Sequence, residues 1–183
     1  MTENVRPLAE ARPFIIVGTL GAIAVGIVLV MLFVDPGMPA HVNEDYMRVA
    51  GRVLQVELPL ADPQALSAAL RERFPRPVTV PSLADLQYAL DGGALSDLGG
   101  RPAVVAIFHN DRRDLLVWHA YEGQVSELPS TPDVRDRDGR RYYVHRKTTN
   151  TLVFWQNGPI VECVTSSLPS EQVFEIALKV AAR

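Results

Sequence analysis

The chain has 183 residues, with 18 Lys+Arg against 21 Asp+Glu and a formal net charge of −3. That length allows one ordinary domain plus an appendage; the 48% hydrophobic content excludes wholesale disorder, and the mild acidity argues against a nucleic-acid binder, which carries a basic stripe. The single cysteine, Cys163, rules out an intrachain disulfide and any cysteine-rich zinc or iron–sulfur site.

Residues 14–34 read FIIVGTLGAIAVGIVLVMLFV, without a charge. At a helical rise of ~1.5 Å per residue this stretch spans ~32 Å, enough to cross a hydrocarbon core of ~30 Å. A cleaved signal peptide would have a shorter apolar region and a small-x-small site; Met38-Pro39-Ala40 is a poor one because proline sits inside it. The expectation is a retained membrane helix. Arg6 and Arg12 precede it, and no Lys or Arg follows until Arg48, so the N-terminus is expected in the cytoplasm and residues 35–183 outside. Gly18, Ala22 and Gly26 fall four apart and align small residues on one helix face, a candidate surface for close helix packing. Chance alignment is the competing reading, since glycine and alanine are common in membrane helices.

Residues 1–13 form a short tail and 35–60 a linker with a stalk or docking helix. That helix is expected to start at Asn43 as cap, with Glu44 and Asp45 in its first turn and Tyr46, Val49, Ala50, Val53 and Leu54 at helical spacing. Asp62-Pro63 is a second helix start, followed by Ala65, Leu66, Ala69, Leu70 and Phe74 as an apolar stripe. Ser82-Leu83-Ala84-Asp85 opens a short helical turn, and Asp91-Gly92-Gly93 and Gly99-Gly100 read as turns.

Strands are predicted at 103–109, 114–120, 142–147, 150–156 and 160–165. A four-residue loop at 110–113 would pair His109 with Asp114 and Phe108 with Leu115. One face then carries Val104, Ala106, Phe108, Leu115 and Val117, the other Val105, Ile107, Leu116 and Trp118. Both faces are apolar, so both need cover: helices for one, the rest of the chain or a partner for the other. Asn157-Gly158 reads as a two-residue hairpin turn that sets Cys163 opposite Leu152. A final helix, capped by Ser167 or Ser170, presents Val173, Phe174, Ile176, Ala177 and Val180. Helices flanking strands joined by tight turns predict an α+β domain over 61–183.

Candidates for chemistry are thin. His41, His109, His119 and His145 show no metal-ligand spacing, and the predicted register sets His119 opposite Val104, about five residues from His109 along the ladder. Asp136-Arg137-Asp138-Gly139 resembles part of a calcium loop, but Val134 and His145 stand where acids are required. The run 135–141 is read as a solvated mixed-charge loop, with a docking arm as the alternative. Cys163 sits among apolar neighbours and lacks the cation or helix N-terminus of a reactive thiol. No G-x-S-x-G setting and no phosphate loop occur. The expectation is a non-enzymatic protein without catalytic residues, metal or other cofactor.

Two stretches carry a family resemblance. Asp62-Pro63, Leu66, Leu70-Arg71, Phe74, Val78-Thr79-Val80-Pro81-Ser82-Leu83, Tyr88-Ala89-Leu90-Asp91-Gly92-Gly93 and Leu98-Gly99-Gly100-Arg101-Pro102-Ala103 form the first. Asn150-Thr151, Phe154-Trp155-Gln156-Asn157-Gly158, Val164 and Ser167-Leu168-Pro169-Ser170-Glu171 form the second. Together they resemble the extracytoplasmic domain of bacterial transmembrane anti-sigma factors, over roughly residues 60–182. These are turn and core positions, so the resemblance implies a fold more than an activity. Such regulators carry a cytoplasmic sigma-binding domain, often with an H-x-x-x-C-x-x-C motif; residues 1–13 contain neither histidine nor cysteine, and no functional residue is carried over. The expectation is a single-pass protein of a bacterial inner membrane. Its outer domain would dock onto subunits of a larger membrane complex, such as a respiratory or photosynthetic one. The alternative is an envelope sensor that lacks its own sigma-binding domain.

Overall fold

The computed structural model describes residues 37–182. The elements run α1 (Met38–Ala50), α2 (Pro63–Arg71), β1 (Tyr88–Asp97), β2 (Pro102–Asn110), β3 (Leu115–Glu122), β4 (Asp133–Arg137), β5 (Arg140–Arg146), β6 (Thr151–Asn157), β7 (Ile160–Ser166) and α3 (Ser170–Ala181). Short 3-10 turns occupy Ala84–Leu86 and Val125–Glu127. The fold is α+β: one seven-stranded antiparallel sheet in the order β1-β2-β3-β7-β6-β5-β4, with helices packed on it. Two meanders, β1–β3 and β4–β7, join where β3 pairs with β7. Among the described residues no helix is long and apolar enough to cross a membrane. The predicted span 14–34 and the Gly18, Ala22 and Gly26 face lie outside the described residues.

Each face of the sheet has its own cover. On one, Leu66 and Leu70 of α2, Phe74, and Val173, Phe174 and Ala177 of α3 pack on Ala106, Phe108, Leu116, Trp118, Val153 and Trp155. On the other, α1 lays Val42 against Tyr121, Phe154, Val161 and Cys163, and Tyr46 and Val49 against Val105, Ile107 and Val117. Each fully buried side chain of this size contributes roughly 1.5–3 kcal/mol of transfer free energy. The second apolar face is therefore covered by the chain's own first described helix.

The helix starts follow the sequence in part. Asp62 caps α2, its carboxylate accepting from the Ala65 amide at 2.8 Å with Pro63 in the first turn. α1 begins earlier than expected, after Gly37 at φ 77°, because Met38 and Val42 add an apolar turn that packs on the sheet. Asn43 is thus inside the helix, its side-chain oxygen accepting from Asn150 Nδ2 at 3.0 Å rather than capping. Neither Ser167 nor Ser170 caps α3: Pro169 holds the cap position, and the Ser170 hydroxyl accepts from Arg146 Nε at 3.2 Å.

Three turns differ from expectation, each with a local cause. Arg113 adopts the left-handed region at φ 64° and donates its amide to Asn110 O at 2.8 Å, so the β2–β3 loop has three residues instead of four. His109 then pairs with Leu115 and Phe108 with Leu116. This one-residue slip moves every β3 side chain to the opposite face: Leu116 and Trp118 join Ala106 and Phe108, while Val117 joins Val105 and Ile107 under α1. The β6–β7 turn is Gly158-Pro159, with Gly158 at φ 59° and Asn157 opposite Ile160, so Cys163 faces Phe154 and not Leu152. That shift is by two residues, and the face is kept.

The run 135–141 is not a loop. It is the β4–β5 hairpin, turned at Asp138-Gly139 where both residues have positive φ, of 50° and 75°. Asp91-Gly92-Gly93 is likewise not a turn but lies inside β1, where the register shifts at a bulge between Leu90 and Gly92. The glycines are required because Leu58 bridges to Gly93 along this edge; a Cβ on Gly93 would lie 2.8 Å from the Val105 carbonyl oxygen.

Candidate functional site

A cleft of about 820 Å³ opens between α2, the segment 76–82, the β6–β7 turn and the end of α3. Its volume lies within the range of small-molecule and peptide sites. Pro77 and Pro81 favour extended backbone in the residues before them. Ser67 of α2 secures this segment: its hydroxyl donates to Pro63 O at 2.6 Å and accepts from the Val80 amide at 2.9 Å. Val78 and Val80 are buried and Thr79 is exposed. Among the described residues, the amide and carbonyl of Thr79 have no hydrogen-bond partner.

Glu162 lines the same cleft from the middle of β7. It is only 9% exposed. Trp118 Nε1 donates to one carboxylate oxygen at 3.1 Å and Asn157 Nδ2 to the other at 2.5 Å. Asn157 is in place because the Gly158-Pro159 turn sets it opposite Ile160. Burial pushes the Glu162 carboxyl up from its ordinary value, against the opposing pull of Asn157, Trp118 and the field of Arg140. Among the described residues no Lys, Arg or His forms an ion pair with it; the Arg140 guanidinium instead donates to Ala181 O. Arg76, also on the cleft, is held at the surface by Glu122 at 2.9 Å.

A second polar group lies under α1. Asp45, 2% exposed, accepts from the Ser96 hydroxyl of β1 and pairs with Arg48 at 3.3 Å. His119 of β3, fully buried, brings Nε2 to 3.7 Å from Asp45 Oδ2, and among the described residues neither of its ring nitrogens has a hydrogen-bond partner. Burial pushes the Asp45 carboxyl up, but His119 and Ser96 beside it and the charges of His119 and Arg48 outweigh burial and hold it below its ordinary value. The arrangement is a positioning contact between helix and sheet. The serine serves the carboxylate, and no histidine stands between them to act as a base.

The remaining candidates are dispersed. His109 pairs with Asp91, and His145 stacks edge-on against Phe154 at 5.6 Å. His119 stands opposite Val105, not Val104, four positions along the ladder from His109, or roughly 14 Å. Among the described residues no group of three or more His, Cys, Asp or Glu gathers to hold a metal ion. Cys163 is fully buried, and burial pushes its thiol up.

Sequence reading passed over both Glu162 and the Asp45–His119 contact. Glu162 had a visible mark: a single acid inside the apolar run Ile160-Val161-Glu162-Cys163-Val164. Asp45 had none, since an acid in a helix's first turn already has an explanation. No family model, no curated protein and no solved structure matches this chain.

Proposed function

We propose that this protein is a non-enzymatic, single-pass membrane protein of the bacterial inner membrane. Its outer α+β domain acts as a protein-interaction module, as an accessory subunit of a larger membrane complex. The observation that carries this reading is the continuity of anchor and domain. Only Asp35, Pro36 and Gly37 separate the uncharged stretch 14–34 from α1, and α1 is fastened to the sheet by an apolar seam and the buried Asp45. An uncharged stretch of membrane-spanning length that precedes the domain's first helix by three residues of sequence supports a role among membrane proteins. Three groups with nucleophilic side chains are engaged within the fold: Cys163 in the core, Ser96 on Asp45, and Ser67 on Pro63 and Val80.

A second reading, an envelope regulator resembling the anti-sigma outer domains, is favoured by where the matching residues fall. Asp62, Leu66, Leu70, Phe74, Gly99 and Gly158 are cap, core and turn positions of this fold.

The experiment for both is purification of the tagged chain in mild detergent, with identification of what accompanies it. Stoichiometric recovery in a large membrane assembly is the expected result. Recovery with a cytoplasmic regulator favours the second reading, and recovery of the chain alone overturns the first. The variant Gly18→Leu with Gly26→Leu is expected to lose the partner with the outer domain still folded; unchanged co-purification removes the helix-packing face from the proposal.

A further inference from the structure

We infer that the cleft between α2, segment 76–82 and the β6–β7 turn is a docking site for an extended polypeptide segment that presents a cationic side chain to Glu162. This rests on the interaction-module reading and names the chemistry of the partner.

Three observations converge. The first is a mostly buried carboxylate, Glu162, lining an open cleft with its two oxygens oriented by Trp118 and Asn157. Among the described residues it has no ion-pair partner. Among them only the field of Arg140 reaches it, and the cleft's own arginines, Arg71 and Arg76, are exposed and make no ion pair with it. A buried carboxylate whose oxygens meet only neutral donors is costly, and an arriving ammonium or guanidinium relieves that cost at the point of contact. The second is the cleft wall. Along an extended chain the amide and carbonyl of one residue point to the side opposite those of the next. Val80 gives its amide to Ser67, whereas the N–H and C=O of the exposed Thr79 are unpaired within the described residues. One residue of an extended ligand can exchange two hydrogen bonds with Thr79, the smallest unit of strand addition. The third is rigidity: Pro63, Pro77, Pro81 and Pro159 all line the cleft, so little order remains to be imposed on binding.

The other candidates carry less. The groove beside α3 is lined by Asp111, Asp114, Glu171 and Glu175 together with Arg112, none of these charged side chains being buried. The β4 edge carries Asp133, Arg135, Asp136 and Arg137, a charged strand that resists pairing.

The test uses the full chain in mild detergent, labelled with nitrogen-15. The chain has two tryptophans, so two indole N–H signals are expected, and that of Trp118 reports directly on Glu162. The probes are blocked heptapeptides of alternating threonine and valine whose central residue is lysine, arginine, norleucine or glutamate, and 1,6-diaminohexane alone. Lysine and arginine peptides are expected to move the Trp118 signal saturably, with the norleucine peptide at least about tenfold weaker. Glu162→Gln is expected to erase that difference while keeping weak binding of all the peptides. Thr79→Pro, which removes the exposed amide, is expected to weaken every peptide alike and leave the lysine preference intact. Equal binding of lysine and norleucine peptides, tighter binding of the glutamate peptide, or no shift with any probe overturns the inference. A diamine as effective as the lysine peptide replaces the polypeptide by a small cation, and an inert Thr79→Pro removes the strand-addition arm. A silent cleft in a chain that still co-purifies with a membrane assembly overturns this inference alone.

Discussion

Asp45 of α1 and His119 of β3 meet under the helix with Oδ2 and Nε2 3.7 Å apart, both side chains almost fully buried. They join the first described helix to the middle of the sheet across 74 positions of sequence (119 minus 45). The contact is polar where its surroundings, Tyr46, Val49, Val105 and Val117, are apolar, so it fixes where α1 sits rather than how strongly it is held. A buried pair of this kind is weak evidence for stability and stronger evidence for register.

Removal of one partner is therefore expected to be expensive. Asp45→Ala leaves His119 buried beside a void and should destabilise the domain by about 3 kcal/mol, read by urea unfolding. The native contribution also has a pH signature. The Asp45 carboxyl is held below its ordinary 3.8, so its stabilisation is complete above that value and disappears as pH falls through the lower, folded-state value. Amide exchange in α1 should accelerate in that acid window for the native chain, and Asp45→Asn should flatten the response. An identical acid limb in the two proteins contradicts the assignment.

Glu162 has the opposite sign. Burial raises its carboxyl above the ordinary 4.5, so the folded state holds its proton more tightly than the unfolded chain does. Stability from this group is full below 4.5 and is lost as pH rises through the folded-state value. Glu162→Gln, which keeps the shape and an acceptor for Trp118, should match the native chain near pH 4 and exceed it at pH 8. Denaturation midpoints at the two pH values decide this, and a Gln variant weaker at pH 8 would show the carboxylate to be stabilising.

Arg113 sits at φ 64°, a conformation that costs an L-residue roughly 1 kcal/mol and glycine very little. Arg113→Gly should raise stability by about 0.5–1 kcal/mol, whereas Arg113→Val, β-branched in the left-handed region, should lower it by about 1–2 kcal/mol. Thermal unfolding of both variants checks the three-residue loop. A loop of four residues, with Arg113 in ordinary backbone, predicts no gain from glycine.

The proposed orientation, with the domain on the outer side of a membrane, can be read with one thiol. Asp136 is exposed and its ion pair with Arg141 is at the surface, so Asp136→Cys costs little. The native Cys163 is fully buried and stays silent in the folded chain. A membrane-impermeant maleimide is expected to label the new cysteine in intact spheroplasts. Labelling confined to lysed cells would place the domain on the cytoplasmic side.

Local chemistry alone identified much of this fold. The cap at Asp62, the buried stripe of α3 and the strands on either side of residues 111–113 are legible because each depends on residues a few positions apart. The β4–β5 hairpin was equally local, with Asp138-Gly139 as its turn, but a dense run of charges masked it. β4 is an edge strand, where charge is protective and hydrophobic alternation is not required.

What the tertiary structure decided is the register of the sheet and the two polar contacts. Between β2 and β3 both faces are apolar, so no alternation of polar and apolar residues penalises a one-residue slip; the left-handed Arg113 chose the pairing, and with it the faces of Leu116, Val117 and Trp118. Asp45 with His119, and Glu162 with Trp118, are juxtapositions between residues far apart in sequence. Periodicity and propensity act over a few residues, whereas such contacts exist only once the helices and strands have packed.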